Sequence, residues 1–200
     1  MNNISIALYL FLIAGCSSTP ENTGTASEIP NPINEVFHNP IPKNYVLGYK
    51  TLNGNMELKE YVPRGETSEN WTEMITVQTY LGMVQTSPRK YASLIKGMGK
   101  RVCPGIKSTV GKATIQNGYE VYNWKQVCNL NPNTNRVEAT LIKAIAGYEN
   151  FYTIQKAWAY YPTEKETLTW KHFLDSTTVC DTGLPDRPCP KNSPREQPVE

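Results

Sequence analysis

The 200 residues include 20 Lys and Arg against 18 Asp and Glu, a formal charge of +2, a balance that implies neither a nucleic-acid-binding surface nor one that seeks acidic partners. Hydrophobic residues make up 39% of the chain, enough for one domain with its own core. Beyond the first turns of the chain no apolar run approaches the ~18 residues of a spanning helix.

The chain opens on Met1-Asn2-Asn3 and then the largely apolar run Ile4–Ala14. That run has the length of a signal-peptide core and is too short to cross a bilayer as a permanent helix. The stretch Leu12-Ile13-Ala14-Gly15-Cys16-Ser17-Ser18 resembles the lipobox of bacterial lipoprotein precursors. The resemblance implies that residues 1–15 are a removable signal peptide and that Cys16 is the lipid-bearing first residue of the mature protein, its anchor to the membrane. Ser17 stands where inner-membrane lipoproteins commonly carry Asp, which by the family rule implies the periplasmic face of the outer membrane. One departure from the pattern is that no Lys or Arg precedes the apolar run.

Residues 16–42 are rich in Ser, Thr, Asn, Glu and Pro and are expected to form a flexible linker with a reach of roughly 25–30 Å. A globular domain is expected over 43–189. It begins with Tyr45–Leu52 and Met56–Val62, two strand-like runs around Asn53-Gly54, a pair suited to a tight hairpin because both residues tolerate positive φ. Thr72–Leu81 reads as a further strand. Ser87-Pro88 opens a helix, with Ser as cap and Pro in the first turn, and Tyr91, Leu94, Ile95, Met98 and Val102 form its apolar stripe. Gly97 and Gly99 weaken that helix by about 1 kcal/mol each, which implies close packing or a ragged end.

Val110–Gln116 and Tyr119–Cys128 flank Asn117-Gly118 as a second hairpin, and Arg136–Ala146 and Phe151–Tyr161 extend it to a four-stranded antiparallel meander. Thr163-x-x-Glu166 is a capping box, opening a helix that carries Leu168, Trp170, Phe173, Leu174 and Thr177. Residues 190–200 hold three prolines and few apolar side chains and are expected to be disordered.

With Cys16 assigned to lipid, Cys103, Cys128, Cys180 and Cys189 form an even set in an oxidising compartment. Three connectivities are open, and the short spacing of Cys180 and Cys189 favours pairing them locally, leaving Cys103 with Cys128. Each bridge would contribute roughly 2–4 kcal/mol. Zinc is not expected, since no Cys-x-x-Cys occurs.

These elements predict an α+β domain with a single antiparallel sheet of about six to seven strands, two helices packed on it and two disulfides. In Phe151–Tyr161 neither face is plainly polar, which points to a sheet covered on both sides. Over residues 45–180 the element order is similar to the PsbP-like fold, a helix–sheet–helix sandwich; the resemblance is one of fold and carries no function.

Chemistry is harder to find. His172 and Ser176 lie four apart on the last helix with Asp175 beside them, but spacing supplies no oxyanion hole or oriented base. Glu57 with Glu60, or Glu69 with Glu73, could be read as paired carboxylates, and such charges are common on surfaces. Phosphate-loop, dinucleotide and metalloprotease motifs are absent from the sequence, so no enzyme, cofactor or metal is expected. Aromatics crowd the meander, and Tyr122, Trp124, Trp158 and Tyr160 are the candidate binding rings, if they are not core. The expectation is therefore a non-catalytic envelope lipoprotein that binds another envelope component, a protein first and peptidoglycan second, with no nucleic-acid partner. The alternatives are an inhibitor or immunity lipoprotein against a periplasmic toxin or wall hydrolase, a small envelope hydrolase, and a structural subunit of a secretion assembly.

Overall fold

The computed structural model of the chain describes residues 34–191. The 1–15 leader, Cys16, most of the expected linker and residues 192–200 lie outside the described residues.

Twelve elements follow one another among the described residues: β1 (Glu35–His38), β2 (Tyr45–Asn53), β3 (Met56–Pro63), β4 (Glu73–Leu81), α1 (Pro88–Val102), β5 (Lys107–Ser108), β6 (Lys112–Gln116), β7 (Tyr119–Asn131), β8 (Arg136–Ala146), β9 (Asn150–Trp158), α2 (Glu164–Ser176) and β10 (Thr178–Asp181). The fold is α+β, with one large antiparallel sheet ordered β2-β3-β4-β9-β8-β7 and the short β5 and β6 both pairing with β7. At eight strands this sheet is slightly larger than expected, the excess coming from the two-residue β5. A second, two-stranded sheet pairs β1 with β10, so part of the segment assigned to the linker is a strand of the folded unit.

Local signals explain most boundaries. Asn117 and Gly118 both take positive φ, 51° and 81°, as the tight turn between β6 and β7 demands. In the β2–β3 hairpin the turn lies one residue later than expected. Asn53 pairs with Met56, and Gly54 alone of the expected pair takes positive φ, 56°. Ser87 caps α1 by accepting from the Lys90 amide, and the Thr163–Glu166 capping box forms in full at α2. Gly99 explains one of the two helix glycines, because a Cβ there would sit 3.1 Å from Ile106 and 3.3 Å from Gln126. At Gly97 the space is open.

The strand register divides the side chains into two faces. Even positions of β3, β4, β7 and β8 and odd positions of β9 point one way, where α1 lies across β7 and β8 and packs Tyr91 and Ala92 on Tyr122, Trp124, Ile142, Ala144 and Phe151. The opposite parity faces α2, whose Leu174 packs with Ile75, Val77 and Ile154. Each face thus carries a helix, as the mixed pattern of Phe151–Tyr161 implied, and β9, buried on both sides, has no polar face to show.

The two disulfides are Cys103–Cys128 and Cys180–Cys189. The first ties the end of α1 to β7. The second closes the loop after β10, so β10 is held on one side by the bridge and on the other by β1. Glu35 on β1 in turn accepts from the Tyr148 amide at 2.7 Å and the Tyr152 hydroxyl at 2.9 Å. Chain arriving from the N-terminus is therefore fastened at the end of the sheet that carries the β8–β9 turn.

Candidate functional site

Because α1 covers only the β7–β8 half of its face, the other half is left under a cleft of about 140 Å³. Ile95, Gly99 and Val102 of α1, with Ile106 just beyond it, form one wall. Met56, Leu58 and Met74 line the β3–β4 side, and Trp71 closes the end remote from β1. Trp71 is held in place by Arg136, whose guanidinium lies 4.6 Å from the ring centre and whose Nη1 donates to the Trp71 carbonyl at 2.8 Å.

The floor is polar but uncharged. Thr76 and Gln155 are cross-strand partners on β4 and β9, and Thr140 on β8 stands opposite Ala157, one position further along the same face. All three line the cleft, and their side chains make no hydrogen bond with another described residue. Gln78 differs, since its Oε1 accepts from the Thr153 hydroxyl at 2.9 Å. Glu138 is the acidic residue in the lining, and both its oxygens are taken, by Asn131 at 2.8 Å and Thr134 at 2.9 Å. Beside this floor sits Glu60, the cross-strand partner of Thr76 and 8% exposed. Burial, with the charge of Glu69 added, pushes its carboxyl up to about 7.

A second polar group lies under α2, its ammonium buried and its carboxylate partly exposed. Lys156 has no solvent exposure and donates to Glu73 and to the Tyr45 hydroxyl, both at 2.5 Å, while the Trp170 ring centre is 4.0 Å from its ammonium. Glu73 also accepts from Tyr160 at 2.8 Å. Lys143, likewise buried, donates to the carbonyls of Leu174 and Thr177 at the end of α2 and to Gln116 Oε1. A cation at a helix C-terminus is electrostatically favourable, and Lys143 ties that end of α2 to β8 while Lys156 lies under Trp170 at its middle. Burial lowers both lysines to about 8. Every polar atom of the two ammonium groups is engaged with the fold's own residues, and these groups act as clamps.

Of the candidate rings, Tyr122, Trp124 and Trp158 are core residues, 6%, 4% and 0% exposed, and Tyr160 is half-buried against Glu73. Trp124 alone of the four also lines the cleft. They are interior because both sheet faces are covered; the exposed aromatics nearby are Tyr148 and Tyr161. His172, Ser176 and Asp175 are not joined by hydrogen bonds. The Ser176 hydroxyl donates to the Phe173 carbonyl at 2.7 Å, and Asp175 pairs with Lys171 at 2.7 Å. Glu57 and Glu60 fall on opposite faces, Glu57 between Lys50 and Lys59, and Glu73 belongs to Lys156. No group of three or more His, Cys, Asp and Glu that could hold a metal occurs among the described residues.

Comparison with known proteins places little beside this chain. No family model matches, and no curated protein matches by sequence. Among solved structures, the Ran-binding protein Mog1p of Saccharomyces cerevisiae is similar at 13% identity and a TM-score of 0.42, covering 70% of this chain and 83% of its own. LpqN, involved in cell envelope biogenesis of Mycobacterium tuberculosis, is similar at 13% identity and a TM-score of 0.40, covering 75% of this chain and 86% of its own. Likeness at this level carries no function across.

Proposed function

We propose that this protein is a cell-envelope lipoprotein, acylated at Cys16 and held on the periplasmic face of the outer membrane, whose domain binds another envelope component without transforming it. The cleft beside α1 carries the reading: its floor presents the hydroxyls of Thr76 and Thr140 and the amide of Gln155 without side-chain partners among the described residues, hydrogen-bonding groups that a ligand can take up in place of water. Its Trp71 end lies at the end of the sheet opposite the one where β1 is fastened. A tethered domain would therefore hold that end away from its anchor. The hydrolase alternative gains no support from His172 and Ser176, which do not meet, the Ser176 hydroxyl donating to the Phe173 carbonyl.

The test is photo-crosslinking in intact cells of the native host, with a photoreactive residue at Met56 or Ile95 in the cleft and at the exposed Leu168 as control. The reading expects an identified envelope component joined at the cleft positions and not at 168, and release of the protein from membranes in Cys16→Ser. Absence of any cleft adduct, or an envelope hydrolase activity that disappears in Ser176→Ala, would overturn it.

A further inference from the structure

We infer that the cleft beside α1 takes a neutral sugar residue of a glycan; this rests on the reading of the cleft as the binding site and names its ligand class. Thr76, Thr140 and Gln155 can each both donate and accept, so their match is a hydroxyl or amide. No Lys or Arg lines the cleft, so an anion finds no counter-charge; each Glu138 oxygen already accepts a hydrogen bond, from Asn131 and Thr134, and burial favours the neutral form of Glu60 beside the floor, so a cation gains little there. The walls at Met56, Leu58, Met74 and Ile95 are apolar.

The ligand must therefore present an apolar surface to the walls and neutral hydrogen-bonding groups to the floor. A pyranose ring has both. An acyl chain would bury the three floor groups without partners at about 1–3 kcal/mol each, and an apolar peptide side chain meets the same objection. At about 140 Å³ the cleft is well below the ~300–1,000 Å³ of sites that enclose drug-sized ligands. It accordingly holds one ring of a chain, with neighbouring residues of the glycan outside.

The full-length acylated protein in phospholipid nanodiscs is titrated with triacetylchitotriose, a neutral amide-bearing glycan, and separately with palmitic acid and a neutral hexapeptide. Tryptophan fluorescence reports on Trp71 and Trp124, and saturation-transfer NMR reports on the ligand protons. Saturable glycan binding at about 1 mM or tighter is expected, weakened about tenfold in Gln155→Leu and in Thr76→Val, and unchanged in Lys50→Gln on the far edge. Should the floor variants unfold, Ile95→Trp, which fills the cleft from the helix side, is expected to abolish binding. Glycan binding indifferent to the cleft variants, or palmitate or peptide binding in its place, overturns the inference. A protein adduct at Met56 in cells, with no glycan binding, removes the sugar and leaves the binding module standing. Neither adduct nor glycan binding removes both.

Discussion

Lys156 meets Glu73 at 2.5 Å from a position with no solvent exposure, while 24% of the Glu73 side chain remains exposed. The two are therefore unequal partners, since the carboxylate keeps water and two tyrosine hydroxyls besides, and the ammonium has only Glu73, Tyr45 and the surrounding rings. Glu73→Gln should cost about 3–5 kcal/mol, by stranding a buried cation, and Lys156→Met less, about 2–3 kcal/mol. The double variant should lose less than the sum. Urea unfolding measures all three, and the reverse ranking would show that the carboxylate is the member that depends on the pair.

Lys143 joins β8 to the last turn of α2. Lys143→Met leaves the Leu174 and Thr177 carbonyls and Gln116 without their shared donor, for a loss of about 2–4 kcal/mol. Hydrogen exchange should quicken at the end of α2 and in β10 before it does so in β4 and β9. Uniform acceleration across the sheet would argue that the lysine supports the whole core.

The two lysines also set the alkaline behaviour. Both sit at about 8 in the folded protein, below the ~10.4 of an unfolded chain. Between those values the unfolded state binds more protons, so stability rises with pH across that window. Tyr119, pushed up to about 12, and Tyr45, Tyr152 and Tyr160, raised by burial, work in the other direction. They ionise near 10 only when unfolded, so stability falls above that point. Thermal melts should show a maximum between about pH 9 and 10, lost when both lysines are replaced by Met.

Glu60 acts at lower pH. Its carboxyl is raised from 4.5 to about 7, so its contribution is whole below the unfolded value and is lost as pH climbs toward 7. Glu60→Gln should remove that decline and leave the variant about 1–3 kcal/mol more stable than the parent at pH 8, with little difference at pH 4.5. A variant destabilised at both values would mean that the carboxylate has a partner it needs.

The disulfides should differ in weight. Cys103–Cys128 spans 25 residues and Cys180–Cys189 spans 9, so loop-closure entropy gives about 3.5 and 2.6 kcal/mol respectively. The local consequences should run the other way: opening Cys180–Cys189 frees β10 and with it β1, which proteolysis near residue 34 would detect. Opening Cys103–Cys128 should instead loosen the end of α1 and the cleft wall at Val102 and Ile106.

The capping box at Thr163 and Glu166, the Ser87-Pro88 helix start, the Asn117-Gly118 turn and the Cys180–Cys189 bridge could be read from the sequence because each depends on residues near one another in the chain; Cys103–Cys128, 25 residues apart, followed by elimination. The order of strands and helices, and hence the α+β class, followed from such local signals. Trp124 and Trp158 show where that reading ends. A ring on a strand looks the same whether the face above it is bare or covered, and only the placement of α1 and α2 made these rings interior. Lys156 did leave a trace, a lone cation among Tyr152, Ile154, Trp158 and Tyr160. Its partners, however, lie 83 and 111 residues away in sequence, and no local pattern couples them. The cleft left none at all. It exists because α1 lies over β7 and β8 instead of the middle of the sheet, a lateral offset set by Gly99 against Ile106 and Gln126 and by the bridge at Cys103, and fixed only when distant strands assemble.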